Sequence, residues 1–404
     1  MKNKKKKEQV SVEKRMIRYA LVIFILYVIL SFCYFYSNGK WSQEALFPFC
    51  VDFGLFYAAG KMTLSGNAAQ IFNIPAHHAV LERILNTDLP FYLPWLYPPI
   101  FLLAIVPFAF LPYHLAMVLW LIITLAFALF AVYRMLPKRK ELALFMLGFP
   151  GVLMNMRWGQ NGFLNTALLA ISICYLESNP VLSGVMIGLL AYKPQFAFFP
   201  FVILLFSRKW KAVLSAVGSA VAVSLLSLLA FGSDVWVQFF GSFFHAFASL
   251  GGTEQLSVFS IQMAPYTTLL NLGVDSRVSI AIQGIITVSV ILATLWVWKH
   301  TKRLPLKGAM MVLGIPLSIP YFMQYDLMIL ALPLVLLVYD FFENGCSKTE
   351  IGLTALLWLL PLINWPLVLA THVQICPPVL IAIAVMILLR VKRDKSTPAL
   401  QQAL

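Results

Sequence analysis

Charge is scarce in this chain of 404 residues: Asp, Glu, Lys and Arg make up 11% of it, while 61% of the residues are hydrophobic. A soluble domain carries about 25% charged residues. A chain this apolar cannot clothe its own surface with polar groups. That excludes a soluble enzyme, a nucleic-acid-binding domain and a disordered polymer, and points to a polytopic membrane protein. Acidic residues are scarcer still, 16 against 30 Lys and Arg, giving a net charge of +14. There is no GxGxxG, no GxxxxGK[ST] and no HExxH, so no dinucleotide fold, phosphate loop or zinc-protease helix is indicated. The five cysteines form no CxxC pair; Cys50 and Cys376 fall on stretches expected outside, where a bridge between them could form. His77 and His78 are adjacent, a poor spacing for joint ligation on a helix, and His245 and His372 stand alone; none is read as a metal ligand. No internal repeat is visible, unlike many transporters built from paired halves.

What the chain does have is a patterned distribution of its basic residues. Eight of the 30 lie in residues 1–18, and others cluster at Arg134–Lys140, Arg208–Lys211, Lys299–Lys307 and Arg390–Lys395. Each cluster ends an apolar run, as cytoplasmic loops do, and anionic lipid headgroups, not nucleic acid, are the partners it suits. The run Tyr19–Tyr36 is long for a signal peptide and lacks a clear cleavage site, so it reads as an uncleaved first span. Further runs at 113–134, 141–156, 161–177, 180–192, 195–207, 211–232, 276–299, 308–322, 326–342, 351–369 and 376–391 bring the expected crossings to twelve. Parity decides the stretch 98–111: if it also crossed, the basic loop Arg134–Lys140 would lie outside. With Pro98, Pro99, Pro107 and Pro112, it is read as a helix lying in or dipping into the outer leaflet.

The expected fold is therefore an all-α polytopic membrane protein of about 12 transmembrane helices plus outer juxtamembrane helices. Residues 1–18 form a basic cytoplasmic tail, 19–391 a single membrane domain and 392–404 a second cytoplasmic tail. Within the domain, 37–112 is a first outer loop with interfacial helices and 233–275 a second, with an amphipathic helix from Trp236 to Leu250. The protein is expected in the cell membrane with both termini cytoplasmic. All basic residues then face inside except Lys40, Lys61, Arg83, Arg157, Lys193 and Arg277. Exceptions to a well-kept rule are where function is to be sought.

Asp52 follows the first span, among apolar neighbours; desolvation raises a carboxylate's pKa and suits it to accept a proton from a hydroxyl group. It could equally cap the helix Phe53–Leu64. Arg157, in the turn MNMRWGQNG, offers a planar fork for phosphate oxygens, or snorkels to the interface. Gln160 and Asn161 stand beside it, and Gly159 and Gly162 allow close backbone approach. Lys193 breaks the apolar stretch Pro180–Phe206; two short helices meeting at Lys193–Pro194–Gln195 would recess that turn below the outer surface, where an ionisable residue points to function. Asp326, near Tyr321, Gln324 and Tyr325, repeats the pattern at another outer turn, or caps the following span. One face thus collects two carboxylates and two cations, which suits an anionic lipid headgroup and a hydroxyl acceptor.

The strings DFGLFYAAGKMTLSG, YPPIFLLAIVPFAFLP with Trp120 following, WGQNGFLNTALLA, PVLSGVMIGLLAYKPQ and QYDL, in that order, resemble glycosyltransferase family 87. The resemblance runs from about residue 52 to residue 330. It implies a GT-C fold and a membrane hexosyltransferase, mannosyltransferases being the best-known members. Such enzymes take a sugar from a polyprenyl-phosphate donor on the extracytoplasmic face and pass it to a lipid or glycan acceptor. Asp52 matches the family's catalytic acid residue, which would make it the general base of an inverting displacement. The charges of Arg157 and Lys193 assign them to the donor phosphate. Tyr57, Gln160, Asn161, Gln195, Tyr321, Tyr325 and Asp326 complete the expected substrate-binding set. Some members carry His where this chain has Tyr321. No metal and no other cofactor is expected, since no paired-carboxylate cage is evident. The rival reading is a transporter or flippase of a lipid-linked sugar or polymer, which would not need a single carboxylate beside the first span.

Overall fold

A computed structural model describes residues 2–37, 48–90, 92–248, 262–371 and 373–402, with the side chains at 2–9, 243–248 and 395–402 left aside. His372 and the side chain of His245 therefore lie outside the described residues, as do Lys40 and residues 249–261 of the stretch 233–275. Everything regular in the described residues is helical, apart from one isolated bridge between Gln262 and Met323.

The chain opens with α1 (Lys2–Tyr36), then continues with α2 (Val51–Leu64), α3 (Ile74–Leu85), α4 (Ile100–Ala109) and α5 (Tyr113–Met135). Next come α6 (Pro150–Trp158), α7 (Gly162–Tyr175), α8 (Pro180–Leu189), α9 (Pro194–Phe206), α10 (Trp210–Phe231) and α11 (Ser233–Ala248). The remainder is α12 (Pro265–Asn271), α13 (Ser276–His300), α14 (Leu304–Ser318), α15 (Ala331–Asn344), α16 (Lys348–Thr371) and α17 (Cys376–Gln402). Tighter 3-10 segments at Lys140–Gly148, Leu190–Tyr192 and Gln324–Leu330 adjoin α6, α8 and α15.

Every run expected to cross forms helix, but the lengths divide them. Among the described residues, six stretches are long and apolar enough to cross a membrane: Val10–Tyr36, Tyr113–Met135, Trp210–Phe231, Ser276–His300, Gln324–Asn344 and Lys348–Thr371. Others are short because proline starts or glycine ends them: Pro150, Pro180 and Pro194 each begin a helix, and Gly159 ends α6. α4, with its 10 residues, rises about 15 Å, half of a hydrocarbon core of about 30 Å. α8 is as short, also with 10 residues.

The outer surfaces of α10 and α13 carry exposed Leu214, Leu229, Ile285 and Leu292, as a lipid-facing wall does. Inside, small residues bring helices together. A Cβ at Gly184 would lie 2.0 Å from the Ala212 carbonyl oxygen, and one at Gly188 would lie 2.0 Å from Ser219 Oγ. Side chains there would force α8 and α10 apart.

The basic loops meet at one end of this bundle and find their acids there. Arg139 pairs with Glu343 at 2.9 Å and with Glu13, while Arg303 pairs with Asp340 at 3.1 Å. Arg390 reaches Asp340 at 2.6 Å and Glu350 at 2.8 Å, and Lys209 reaches Glu177 at 2.7 Å. The more exposed Lys209–Glu177 pair contributes little; the buried Arg390–Asp340 contact is costly to break from one side. Cys50 and Cys376, which a bridge could have joined, are both buried free thiols.

Candidate active site

At the end of the bundle away from the basic loops, five separate parts of the chain bring polar side chains into one buried line. α7 measures the separation: its first residue adjoins this line, while Tyr175 at its other end receives Arg134 of the basic face. Its 14 residues span about 21 Å.

Asp52 stands in the first turn of α2 and is not its cap. The cap position belongs to Cys50, which takes a left-handed backbone (φ 56°) and makes no capping bond with its side chain. The capping alternative for Asp52 therefore falls. The carboxylate instead accepts a hydrogen bond from Gln160 Nε2 at 2.8 Å, and the described residues give its other oxygen none. Asp52 is only 7% exposed. Burial pushes its pKa up to about 7; the Gln160 bond and the charges of Arg157 and Lys193 pull it back down, and Asp326 adds to the rise. The site thus holds a carboxylate that changes charge near neutrality, the property a general base needs.

The turn Arg157–Asn161 supplies the next groups. α6 ends in Gly159 at φ +70°, where a Cβ would meet Cβ of Phe53 at 2.7 Å and of Cys50 at 2.9 Å. Only glycine satisfies both the dihedral and the space. Trp120 Nε1 donates to the Gly159 carbonyl at 3.2 Å, so α5 fixes the turn from a third side. Gly162 opens α7, and its N–H donates to Asn155 Oδ1 at 2.7 Å. Arg157 is turned toward the approach to α2. It donates to the Pro48 carbonyl at 2.9 Å and the Tyr34 hydroxyl at 2.6 Å, with its guanidinium 4.1 Å from the Tyr34 ring. Its own carbonyl receives the Cys50 N–H at 2.9 Å. Arg157 thereby braces the backbone that leads into Asp52.

Lys193 occupies the break between α8 and α9. Pro194 cannot continue a helical hydrogen-bond ladder and pushes the residue before it out of the α region; Lys193 sits at φ −135°, ψ 69°. Its ammonium group, 4% exposed, donates to Asp326 Oδ1 at 2.5 Å and to Asn161 Oδ1 at 3.3 Å. It also lies 5.5 Å from the centre of the Tyr325 ring. Asp326 is both this counter-ion and an acceptor at the start of Gln324–Leu330, its second oxygen facing the Met323 N–H at 3.4 Å.

The structure thus gathers Asp52, Gln160, Asn161, Lys193 and Asp326, with Tyr325 beside them and Tyr321 close enough to feel both carboxylates. Tyr57 is occupied elsewhere, donating to the Leu111 carbonyl at 2.7 Å. Gln195, the second residue of α9, is half-buried and joins no hydrogen bond of the line. The sequence reading missed Tyr97, whose hydroxyl donates to Gln160 Oε1 at 3.1 Å and accepts from Asn161 Nδ2 at 3.0 Å. It also missed Asn165 and Tyr192, which continue the line behind Asn161. Tyr97 stood in the quoted YPP string without a role; a tyrosine in a proline-bound stretch just before a short helix was its only signal. Among the described residues no three His, Cys, Asp or Glu side chains gather as a metal site.

Neither the curated proteins nor the solved structures yield a match to this chain. The family model for glycosyltransferase family 87 matches residues 95–320, a narrower reach than the 52–330 expected from the motifs. Tyr97, Arg157, Gln160, Asn161 and Lys193 fall inside the match; Asp52 and Asp326 fall outside it and are tied to it by the contacts above. The match spans more than half of the chain, which therefore belongs to glycosyltransferase family 87 and is a transferase with membrane-spanning helices.

Proposed function

We propose that this glycosyltransferase moves a hexose, with mannose the first sugar to test, from a polyprenyl-phosphate donor to a lipid or glycan acceptor. The reaction takes place at the extracytoplasmic face of the cell membrane, within a GT-C-type domain of about twelve crossings. One observation carries the reading: a buried carboxylate, with one oxygen unshared among the described residues, joins through a short polar line a buried cation at the bundle end opposite the basic loops. The positive-inside rule turns those loops to the cytoplasm and so turns the line outward. A depth of about 21 Å along α7 leaves the line recessed in the outer part of a core of about 30 Å. A lipid-borne donor can reach it there.

Asp52 takes the proton of the acceptor hydroxyl. The hydroxyl oxygen then attacks the anomeric carbon, and the bond from that carbon to the phosphate oxygen breaks with inversion. The electron pair leaves on the lipid phosphate, whose growing charge Lys193 and Arg157 stabilise. Lys193 shares its charge between Asp326 and the incoming phosphate, and Arg157 acts from beside the Asp52 backbone. Neither a metal nor another cofactor enters this scheme. With an unprotonated Asp52 required, kcat/KM falls as pH drops through about 7.

The test is mass spectrometry of cell-envelope lipids and glycans with and without the gene, paired with an assay of purified protein on polyprenyl-phosphate hexoses. Loss of one hexose increment, restored by the purified protein and its donor, supports the proposal. An unchanged envelope, with no transfer from any lipid-phosphate hexose, overturns it.

A further inference from the structure

Between Lys193 and Asp52 every hydrogen bond has a forced direction. A lysine ammonium only donates and an ionised carboxylate only accepts, so the two ends fix what lies between. Lys193 Nζ and Asn165 Nδ2 both donate to Asn161 Oδ1, at 3.3 and 3.1 Å. That commits the Asn161 oxygen and leaves its Nδ2 to donate to the Tyr97 hydroxyl at 3.0 Å. The Tyr97 proton is then committed to Gln160 Oε1 at 3.1 Å, and Gln160 Nε2 to Asp52 Oδ2 at 2.8 Å. Gln160 Oε1 also receives the Asn161 N–H at 3.2 Å, so the amide is held with its nitrogen toward Asp52. Tyr97 is built to stay in place. Its ring stacks on Phe101 at 4.6 Å and meets Phe56 edge-on at 5.3 Å, and its carbonyl accepts from Trp95 Nε1 at 2.7 Å. Burial and the two carboxylates raise its phenol pKa well above the ordinary value, so it remains a donor.

We propose that Tyr97 is a positioning residue: by donating to Gln160 it strengthens the hydrogen bond that holds the Asp52 carboxylate, and it links the proton-accepting end of the site to the cation at the other end. Successive hydrogen bonds of one direction polarise one another. A group that changes the charge at Lys193 is therefore felt at Asp52 through Tyr97 as well as through space. This inference rests on Asp52 being the base. The other ionisable groups whose fields reach Asp52 are Arg157, Lys193, Asp326, Cys50, Tyr321 and Tyr325; of these, Tyr325 also feels Tyr97, and every one of them is left in place by a change at Tyr97.

The experiment is the pH dependence of kcat/KM for hexose transfer by purified protein, with melting temperature in detergent measured alongside. Tyr97→Phe keeps the ring and its stacking and removes only the hydroxyl; it should move the acid limb upward by about half a pH unit. Gln160→Met removes the donor itself and should move it upward by about one to two units. A ring-fluorinated tyrosine at position 97, a stronger donor of the same shape, should move the limb downward; this arm holds even if Tyr97→Phe does not fold. A purely structural Tyr97 gives lower activity or stability with the limb unmoved in both Tyr97 variants, and that result overturns the proposal. Asp52→Asn in the same assay separates the two readings. If it is inactive while the Tyr97 limb stays fixed, only the link fails; if it is active, the base assignment and the link fall together.

Discussion

Lys193 and Asp326 form an ion pair almost closed to water, their side chains 4% and 2% exposed, with Nζ 2.5 Å from Oδ1. Replacing Lys193 with Met fills much the same volume but strands the Asp326 charge. Removing one partner of a buried pair costs about 3–5 kcal/mol, whereas replacing both with neutral groups is often close to neutral. Lys193→Met alone should therefore lower the melting temperature of the purified protein markedly. The double variant Lys193→Met/Asp326→Asn should recover most of that loss. Donor use behaves differently if Lys193 also serves the phosphate. A lost charged contact is worth about 1.5–3 kcal/mol, roughly ten- to a hundredfold in affinity for the lipid-phosphate sugar, and the double variant should not regain it. The assay is thermal unfolding in detergent beside donor-dependent transfer kinetics for the wild type, both single variants and the double variant. If the double variant recovers transfer together with stability, Lys193 is a structural cation and the phosphate lies elsewhere. If Lys193→Met melts like the wild type, the pair is not holding the two turns together at all.

Two further outcomes follow from the same geometry. Gly159→Ala demands a side chain at φ +70° and 2.7 Å from Phe53 Cβ; strain of this kind costs about 1–3 kcal/mol, and the turn it displaces carries Gln160. Less folded protein and weaker transfer are expected, while the same change at Gly218, in open space on α10, should leave both near wild type. Reporter fusions at Lys138, Lys209 and Lys302 should read cytoplasmic and one at Asn67 external; an external signal at Lys138 would mean that α4 and α5 both cross.

The breaks in the bundle were visible before the fold was known, because they are written in residues with unusual backbones. Pro194 after Lys193, and Gly159 and Gly162 around Gln160, announce turns within apolar stretches, and a charge in such a turn stands out. The first-turn position of Asp52 was less clear, since Asp is a good cap and only the left-handed Cys50 ahead of it settles that it is not one. What could not be read is pairing over distance. Lys193 and Asp326 are 133 positions apart and Tyr97 and Gln160 63 apart, and neither periodicity nor spacing encodes which turns converge. Arg157 shows the same limit. Its sequence neighbours suggest a phosphate fork, yet it donates to Tyr34, at the far end of another helix, and to Pro48.

The claim on which the rest depends is that the Asp52 carboxylate accepts the acceptor's proton. Asp52→Asn retains an oxygen that can receive the Gln160 amide, so the line of hydrogen bonds and the fold around it survive, and only the proton-accepting charge is lost. Purified wild-type and Asp52→Asn proteins should be compared for hexose transfer from a polyprenyl-phosphate donor at pH 8, where the wild-type carboxylate is ionised. The account predicts equal yield and melting temperature with transfer slower by about 10²–10⁴, the usual worth of a positioned base. Transfer by the Asn variant within roughly threefold of wild type, well below that range, would contradict it and leave Asp52 a buried structural acid.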